Sequence, residues 1–191
     1  MASKQEARKS AKEFLRVLPG RTESEEKIRN SLKRFLLDQV QISGNEKTAL
    51  KIISYYADIW EVSPFAEAES ILEIQGVRIE FYYPRIEGTG LTFLFPEDSK
   101  TGEFGISEPI GNRSLEPKEA DFILVPALAF DEFGHRLGRG KGYYDRSLVG
   151  VPQGKLIGFT FETMFPWTFS AEDHDIRVGT VMTEKKNHCF P

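Results

Sequence analysis

Residues 129–146, AFDEFGHRLGRGKGYYDR, gather four glycines, four basic side chains and two tyrosines. Gly138, Gly140 and Gly142 alternate with Arg139 and Lys141, and Asp145 stands just behind them. Glycine lets backbone N–H groups approach an anion closely and accommodates positive φ. Arg136, Arg139 and Lys141 add charge for phosphate oxygens, and an arginine fork can hold two oxygens at once. Asp145 offers the carboxylate oxygen that Mg²⁺ prefers. The chemistry these types and spacings suggest is anion binding, with phosphate as the expected ligand. The alternative is a glycine-rich turn whose arginines are only solvated.

Two common phosphate signatures do not fit. A P-loop counted back from Gly140-Lys141 has His135 at its first glycine and Gly142 where Ser or Thr is needed. The dinucleotide fingerprint needs G-x-G-x-x-G, whereas the spacing here is G-x-G-x-G, and it does not open the first βα unit of the chain.

The elements around the loop suggest how it is positioned. Residues 121–130, DFILVPALAF, are apolar almost throughout, as a central strand covered on both faces would be. KLIGFTF (155–161) reads in the same way, and a last strand is expected within DIRVGTVMT (175–183). The glycine-rich loop therefore follows a central strand, and open α/β sheets bind ligands beyond the carboxyl ends of their strands. Upstream, Ala7, Ala11, Phe14, Leu15 and Leu18 have helical spacing, ended by Pro19-Gly20, with Lys4 and Arg8 on one face. A second helix is expected from Thr22, with Thr22 and Glu25 as a capping box and Ile28, Leu32, Phe35 and Leu36 as its buried stripe.

KIISYYADI reads as a strand. Pro64 is expected to open a helix through FAEAESILEIQ that ends at Gly76. VRIEFYY (77–83), stopped by Pro84, and LTFLF (91–95) read as strands, and EDSKTGEFG (97–105) as a loop. Alternating strands and helices predict an α/β fold with a mostly parallel central sheet. Neither an internal repeat nor a linker is evident, so residues 1–191 are read as a single domain.

Composition narrows the function classes. The chain has 191 residues, a net charge of −4 and 40% hydrophobic residues, a globular balance without the excess positive charge of a nucleic-acid surface. The one cysteine, Cys189, excludes a disulfide within a monomer and reads as a tail thiol. The charged start MASKQEARKSAKEF has no apolar core for a signal peptide, and the apolar run from Phe122 to Phe130 is too short to span a bilayer. A cytoplasmic protein without membrane or nucleic-acid partners is expected.

The stretch VPALAFDEFGHRLGRGKGYYDR resembles the signature of the 5-formyltetrahydrofolate cyclo-ligase family, P-x-x-A/G-F-D-x-x-G-x-R-L-G-x-G-x-G-Y/F-Y-D. Weaker matches flank it in order: Lys4 and Arg8, SEEKI, Glu61-Val62, PRI (84–86), GISEP (105–109) and HDIRVGTVMTE (174–184). Three positions depart from the common pattern: Lys141 for a frequent glycine, Leu91 for methionine and Gly179 for an acid.

The resemblance implies a three-layer α/β/α sandwich that acts on 5-formyltetrahydrofolate, with or without a polyglutamate tail, and the protein is expected to be a monomer. It implies ATP as co-substrate and Mg²⁺ as cofactor. Carried over, Lys4, Arg8 and the run Arg136, Leu137, Gly138, Arg139, Gly140, Lys141, Gly142, Tyr143 and Tyr144 would bind ATP. Lys141 and Arg136 would be catalytic. Tyr56, Glu61, Phe104, Arg139 and Tyr143 would meet the folate, and Asp145 and Asp175 the metal. Two other readings stay open on the residues alone: a phosphosugar or acyl-CoA enzyme using the same anion loop, and a folate-binding protein without turnover.

Overall fold

A computed structural model of the chain describes residues 2–43 and 49–191. Helix α1 (Lys4–Arg16) starts on a capping box: the Ser3 hydroxyl accepts from the Glu6 N–H, and the Glu6 carboxylate accepts from the Ser3 N–H. Ala7, Ala11 and Leu15 form its buried edge. Helix α2 (Arg21–Ser43) buries Ile28, Leu32, Leu36 and Val40, one per turn. It begins before the expected cap: Gly20 O accepts from Ser24 N, so Thr22 lies inside the helix.

The strands are β1 (Ala49–Ile53), β2 (Ile71–Ile74), β3 (Val77–Glu87), β4 (Gly90–Leu94), β5 (Asp98–Thr101), β6 (Ser107–Ile110), β7 (Phe122–Val125), β8 (Ala129–Phe130) and β9 (Arg136–Leu137). After the short helix α3 (Tyr143–Ser147) come β10 (Leu156–Phe159), β11 (Thr180–Met182) and β12 (Asn187–Cys189). The main sheet runs β12-β11-β10-β7-β1-β3-β2, with β4 on the second half of β3. The pairings among β11, β10, β7, β1 and β3 are parallel, while β12, β2 and β4 pair antiparallel.

Alternation along these strands sends side chains to two cores. Ile52, Phe81, Leu124, Ile157 and Met182 pack with the buried residues of α1 and α2. Ile53, Tyr82, Ile123, Val125, Leu156 and Val181 pack with Tyr144 and Leu148, in and just after α3. The expected α/β architecture is present, with its second helical layer short. Among the described residues no helix is long and apolar enough to cross a membrane.

Several local expectations are corrected. The helix expected from Pro64 is irregular chain followed by strand β2, which turns through Gln75 (φ 53°) and Gly76 (φ 80°) into β3. Two consecutive positive φ values are what a tight hairpin requires, and pairing of Ile71–Ile74 with β3 overrides the helical spacing. β3 does not stop at Pro84, which pairs with Phe93 of β4 beyond the end of β1, where one neighbour remains. The loop expected at 97–105 forms one side of the β5–β6 hairpin. The apolar stretch 121–130 is central as expected, but Pro126 separates β7 from β8.

Candidate active site

The sheet changes direction between β1 and β7. From β1 the chain continues outward to β3; from β7 it continues outward the other way, to β10 and β11. Such a switch point opens a crevice beyond the carboxyl ends of the two strands. The loop after β1 brings Tyr55, Tyr56 and Glu61 to it, and the segment after β7 brings Pro126, Arg136, Arg139, Lys141, Tyr143 and Tyr144. The tip of the β5–β6 hairpin closes one side with Phe104. The cavity measures about 230 Å³ and adjoins a second of about 670 Å³ past Tyr56, Phe104 and Arg139.

The alternating glycines each lie beneath an arginine. A Cβ on Gly138 would stand 2.7 Å from the Arg136 guanidinium, one on Gly140 3.2 Å from that of Arg8, and one on Gly142 2.6 Å from that of Arg146. Gly140 and Gly142 also have φ of 102° and 68°. Arg8 Nε donates to Gly138 O at 2.8 Å, tying α1 to the loop. Arg146 donates to Thr89 O at 2.7 Å and to Lys141 O at 2.9 Å.

Arg136 is 7% exposed. It donates from Nε and Nη2 to the two oxygens of Asp145, at 3.2 and 3.0 Å, and from Nη1 to Pro126 O at 2.9 Å. Burial would raise the Asp145 pKa, but the Arg136 charge and hydrogen bonds outweigh it and hold the carboxyl below its ordinary value. Arg139 pairs instead with Asp58 at 3.1 Å. Lys141 lies 5.4 Å from the centre of the Phe104 ring and has no ion pair among the described residues.

Glu61 is 6% exposed. Burial first, then the Asp58 charge, pushes its carboxyl up to about 7, against the opposing pull of the Asp58 N–H, Arg139 and Arg136. The Asp58 N–H donates to Glu61 Oε2 at 3.2 Å. Near it, burial raises the Tyr144 phenol, whose hydroxyl has no hydrogen-bond partner among the described residues. Tyr56 stacks on Tyr83 with ring centres 4.4 Å apart, and offers a flat wall to both cavities.

At the start of α1, Lys4 Nζ sits 2.5 Å from Glu172 and 2.6 Å from Asp175. Burial opposes its charge, but hydrogen bonds to Asp175 and Glu172 prevail and raise its pKa. Ligand atoms of Glu172, His174 and Asp175 lie within 4.8 Å of one another. The hard carboxylate oxygens of Glu172 and Asp175 already hold a cationic head, so their chemistry fits a divalent ion. Asp145 is close to this segment, since the Ile176 N–H contributes to the lowering of its pKa.

The expected residues thus fall into two groups. Tyr56, Glu61, Phe104, Arg136, Arg139, Lys141, Gly142, Tyr143 and Tyr144 line the cavities. Arg8 packs on the loop at Gly138 and Gly140, and Lys4 and Asp175 form the separate pair. Leu137 is fully buried beside them in β9. Gly179, which stands where an acid is frequent, faces backbone: a Cβ there would be 2.7 Å from Gln153 O. Lys12 was missed although it continues the four-residue spacing of Lys4 and Arg8; it lines the cavity 5.8 Å from the centre of the Trp60 ring. Asp58 and Arg146 were missed too. Arg146 ends the glycine-rich motif, while nothing in the local sequence marks Asp58.

Comparison with known proteins identifies the family. The profile of the 5-formyltetrahydrofolate cyclo-ligase family matches residues 2–184. A Mycolicibacterium smegmatis protein named 5-formyltetrahydrofolate cyclo-ligase is 30% identical over 156 residues, covering 76% of this chain and 79% of that one. A Mus musculus protein of the same name is 28% identical, over 96% of this chain and 94% of its own. Among solved structures, the Aquifex aeolicus 5,10-methenyltetrahydrofolate synthetase superposes with a TM-score of 0.70 at 27% identity, covering 97% of this chain and 92% of that one. The Mycoplasma pneumoniae 5,10-methenyltetrahydrofolate synthetase shares the fold, with a TM-score of 0.68 at 22% identity, over 96% of this chain and 99% of that one.

Proposed function

The chain belongs to the 5-formyltetrahydrofolate cyclo-ligase family, and from that premise we propose that it closes 5-formyltetrahydrofolate to 5,10-methenyltetrahydrofolate at the cost of ATP. The supporting observation is one crevice lined by Glu61 and Tyr56 from the loop after β1 and by Arg136, Arg139 and Lys141 from the segment after β7.

A formamide oxygen leaves poorly as it stands. In the proposed reaction that oxygen attacks the γ-phosphorus of ATP and ADP departs. N10 of the folate then attacks the formyl carbon, forming the new C–N bond. The carbon–oxygen bond breaks, the oxygen leaves with phosphate, and the N10 proton passes to solvent. No protein nucleophile is needed; the protein orients the partners and stabilises charge.

Lys141 is the unpaired cation that meets the transferring phosphoryl group. Arg136, fixed by Asp145, supplies a rigid donor beside it, and Lys4, Arg8 and the loop through Tyr144 hold the rest of the nucleotide. Tyr56, Phe104 and Tyr143 provide aromatic surface for the folate. Glu61 accepts hydrogen bonds from the pterin amino and ring N–H groups, with Arg139 nearby. Asp175 and Asp145 are the proposed Mg²⁺ residues; bound there, the ion would neutralise phosphate charge.

Labelling the formyl oxygen with ¹⁸O tests this reading. The label should appear in inorganic phosphate, with one ADP released per methenyl product. Label retained in folate or lost to water would exclude phosphorylation of the formyl oxygen.

A further inference from the structure

We propose that Asp58 is a positioning residue that fixes Arg139 and Glu61 relative to each other across the folate crevice. It stands in the loop after β1, and its side chain is 10% exposed. Besides its own C=O, which accepts from Glu61 N at 3.2 Å, three contacts hold it. Oδ1 accepts from Trp60 N at 2.7 Å, Oδ2 meets Arg139 Nε at 3.1 Å, and its own N–H donates to Glu61 Oε2 at 3.2 Å. One residue thus grips the glycine-rich loop with its side chain and the buried carboxyl of Glu61 with its backbone.

The charge pattern gives this grip a purpose. Arg139 and Lys141 both lie near the Phe104 ring, 5.9 and 5.4 Å from its centre. Like charges gathered around one ring repel each other. A carboxylate on Arg139 neutralises one of them and draws it toward the folate wall, leaving Lys141 as the free cation. Arg139 lines both adjoining cavities, so its direction shapes the passage between them. Asp58 therefore acts on folate binding more than on the nucleotide.

The inference rests on the folate reading of the crevice. Wild-type binding and turnover test that reading; comparison among variants tests the pair. The variants are Asp58→Asn, Arg139→Gln and the double variant, each with its melting temperature measured. Each single change should raise the KM and Kd for 5-formyltetrahydrofolate by about tenfold and the KM for ATP by clearly less. The double variant should be no worse than either alone, and Asp58→Glu should recover part of the loss. Should Asp58→Asn fail to fold, Arg139→Lys carries the test, because it retains charge but loses Nε and should weaken folate binding as Arg139→Gln does. Additive losses, equal effects on both substrates or unchanged folate affinity would overturn the assignment.

Discussion

Arg136 and Asp145 are each other's partners, joined at two points 3.2 and 3.0 Å long and both largely buried. The arginine expected to meet phosphate is therefore anchored by the acid expected to meet metal. Asp145→Asn should cost about 3 kcal/mol of stability, since it leaves a buried guanidinium without its counter-charge. Chemical denaturation measures this; a wild-type midpoint would show that the pair contributes little.

The metal reading makes a separate prediction at Asp175. Asp175→Asn should raise the Mg²⁺ concentration for half-maximal rate by about tenfold, because the ligating oxygen loses its negative charge. Isothermal titration of Mg²⁺ into the protein with a non-hydrolysable ATP analogue gives a readout independent of turnover. An unchanged titration curve would remove Asp175 from the metal site.

Gly138 tests the packing of the loop. Its missing Cβ leaves room for the Arg136 guanidinium, which Asp145 and Pro126 hold in place. Gly138→Ala should destabilise by about 1–3 kcal/mol and lower turnover. Gly154→Ala is the control, because a Cβ there meets nothing within 4 Å. Equal melting temperatures for the two variants would contradict the account.

Glu61 links stability to pH. Its folded-state carboxyl is raised from 4.5 to about 7 by burial and by Asp58. The folded protein then holds a proton that the unfolded chain has released. Stability from this group is complete below about pH 4.5 and is lost as pH rises toward about 7, a loss of up to about 3 kcal/mol. Glu61→Gln should therefore melt higher than wild type at pH 8 and alike at pH 4.5, while binding folate less well. An equal melting difference at both values would show that the carboxyl is not perturbed.

Lys141→Ala should reduce kcat by about a hundredfold while changing folate affinity less than about threefold, because its charge acts mainly as phosphoryl transfer develops. Steady-state kinetics beside equilibrium folate binding separates the two effects. An unchanged kcat with weakened folate affinity would make Lys141 a binding residue.

Much of this arrangement was legible in the residues. The apolar run at 121–130 announced a central strand, and the glycine and arginine spacing after it announced a loop that the fold brings to the crevice. The reason for the alternation was not legible: each glycine seats an arginine, and Arg8 comes from a helix 130 residues away in sequence from its Gly138 acceptor. Ile71–Ile74 misled because its short apolar pattern suits helix or strand, and only pairing with β3 decides. Asp58 could not be read, since its meaning depends on two segments meeting in space.

The central claim is tested most directly by absorbance at the methenyl-folate band, using purified protein, 5-formyltetrahydrofolate, ATP and Mg²⁺. The account predicts a rise that requires every component and vanishes when any one is omitted. A folded protein that binds 5-formyltetrahydrofolate and ATP yet gives no rise would contradict it.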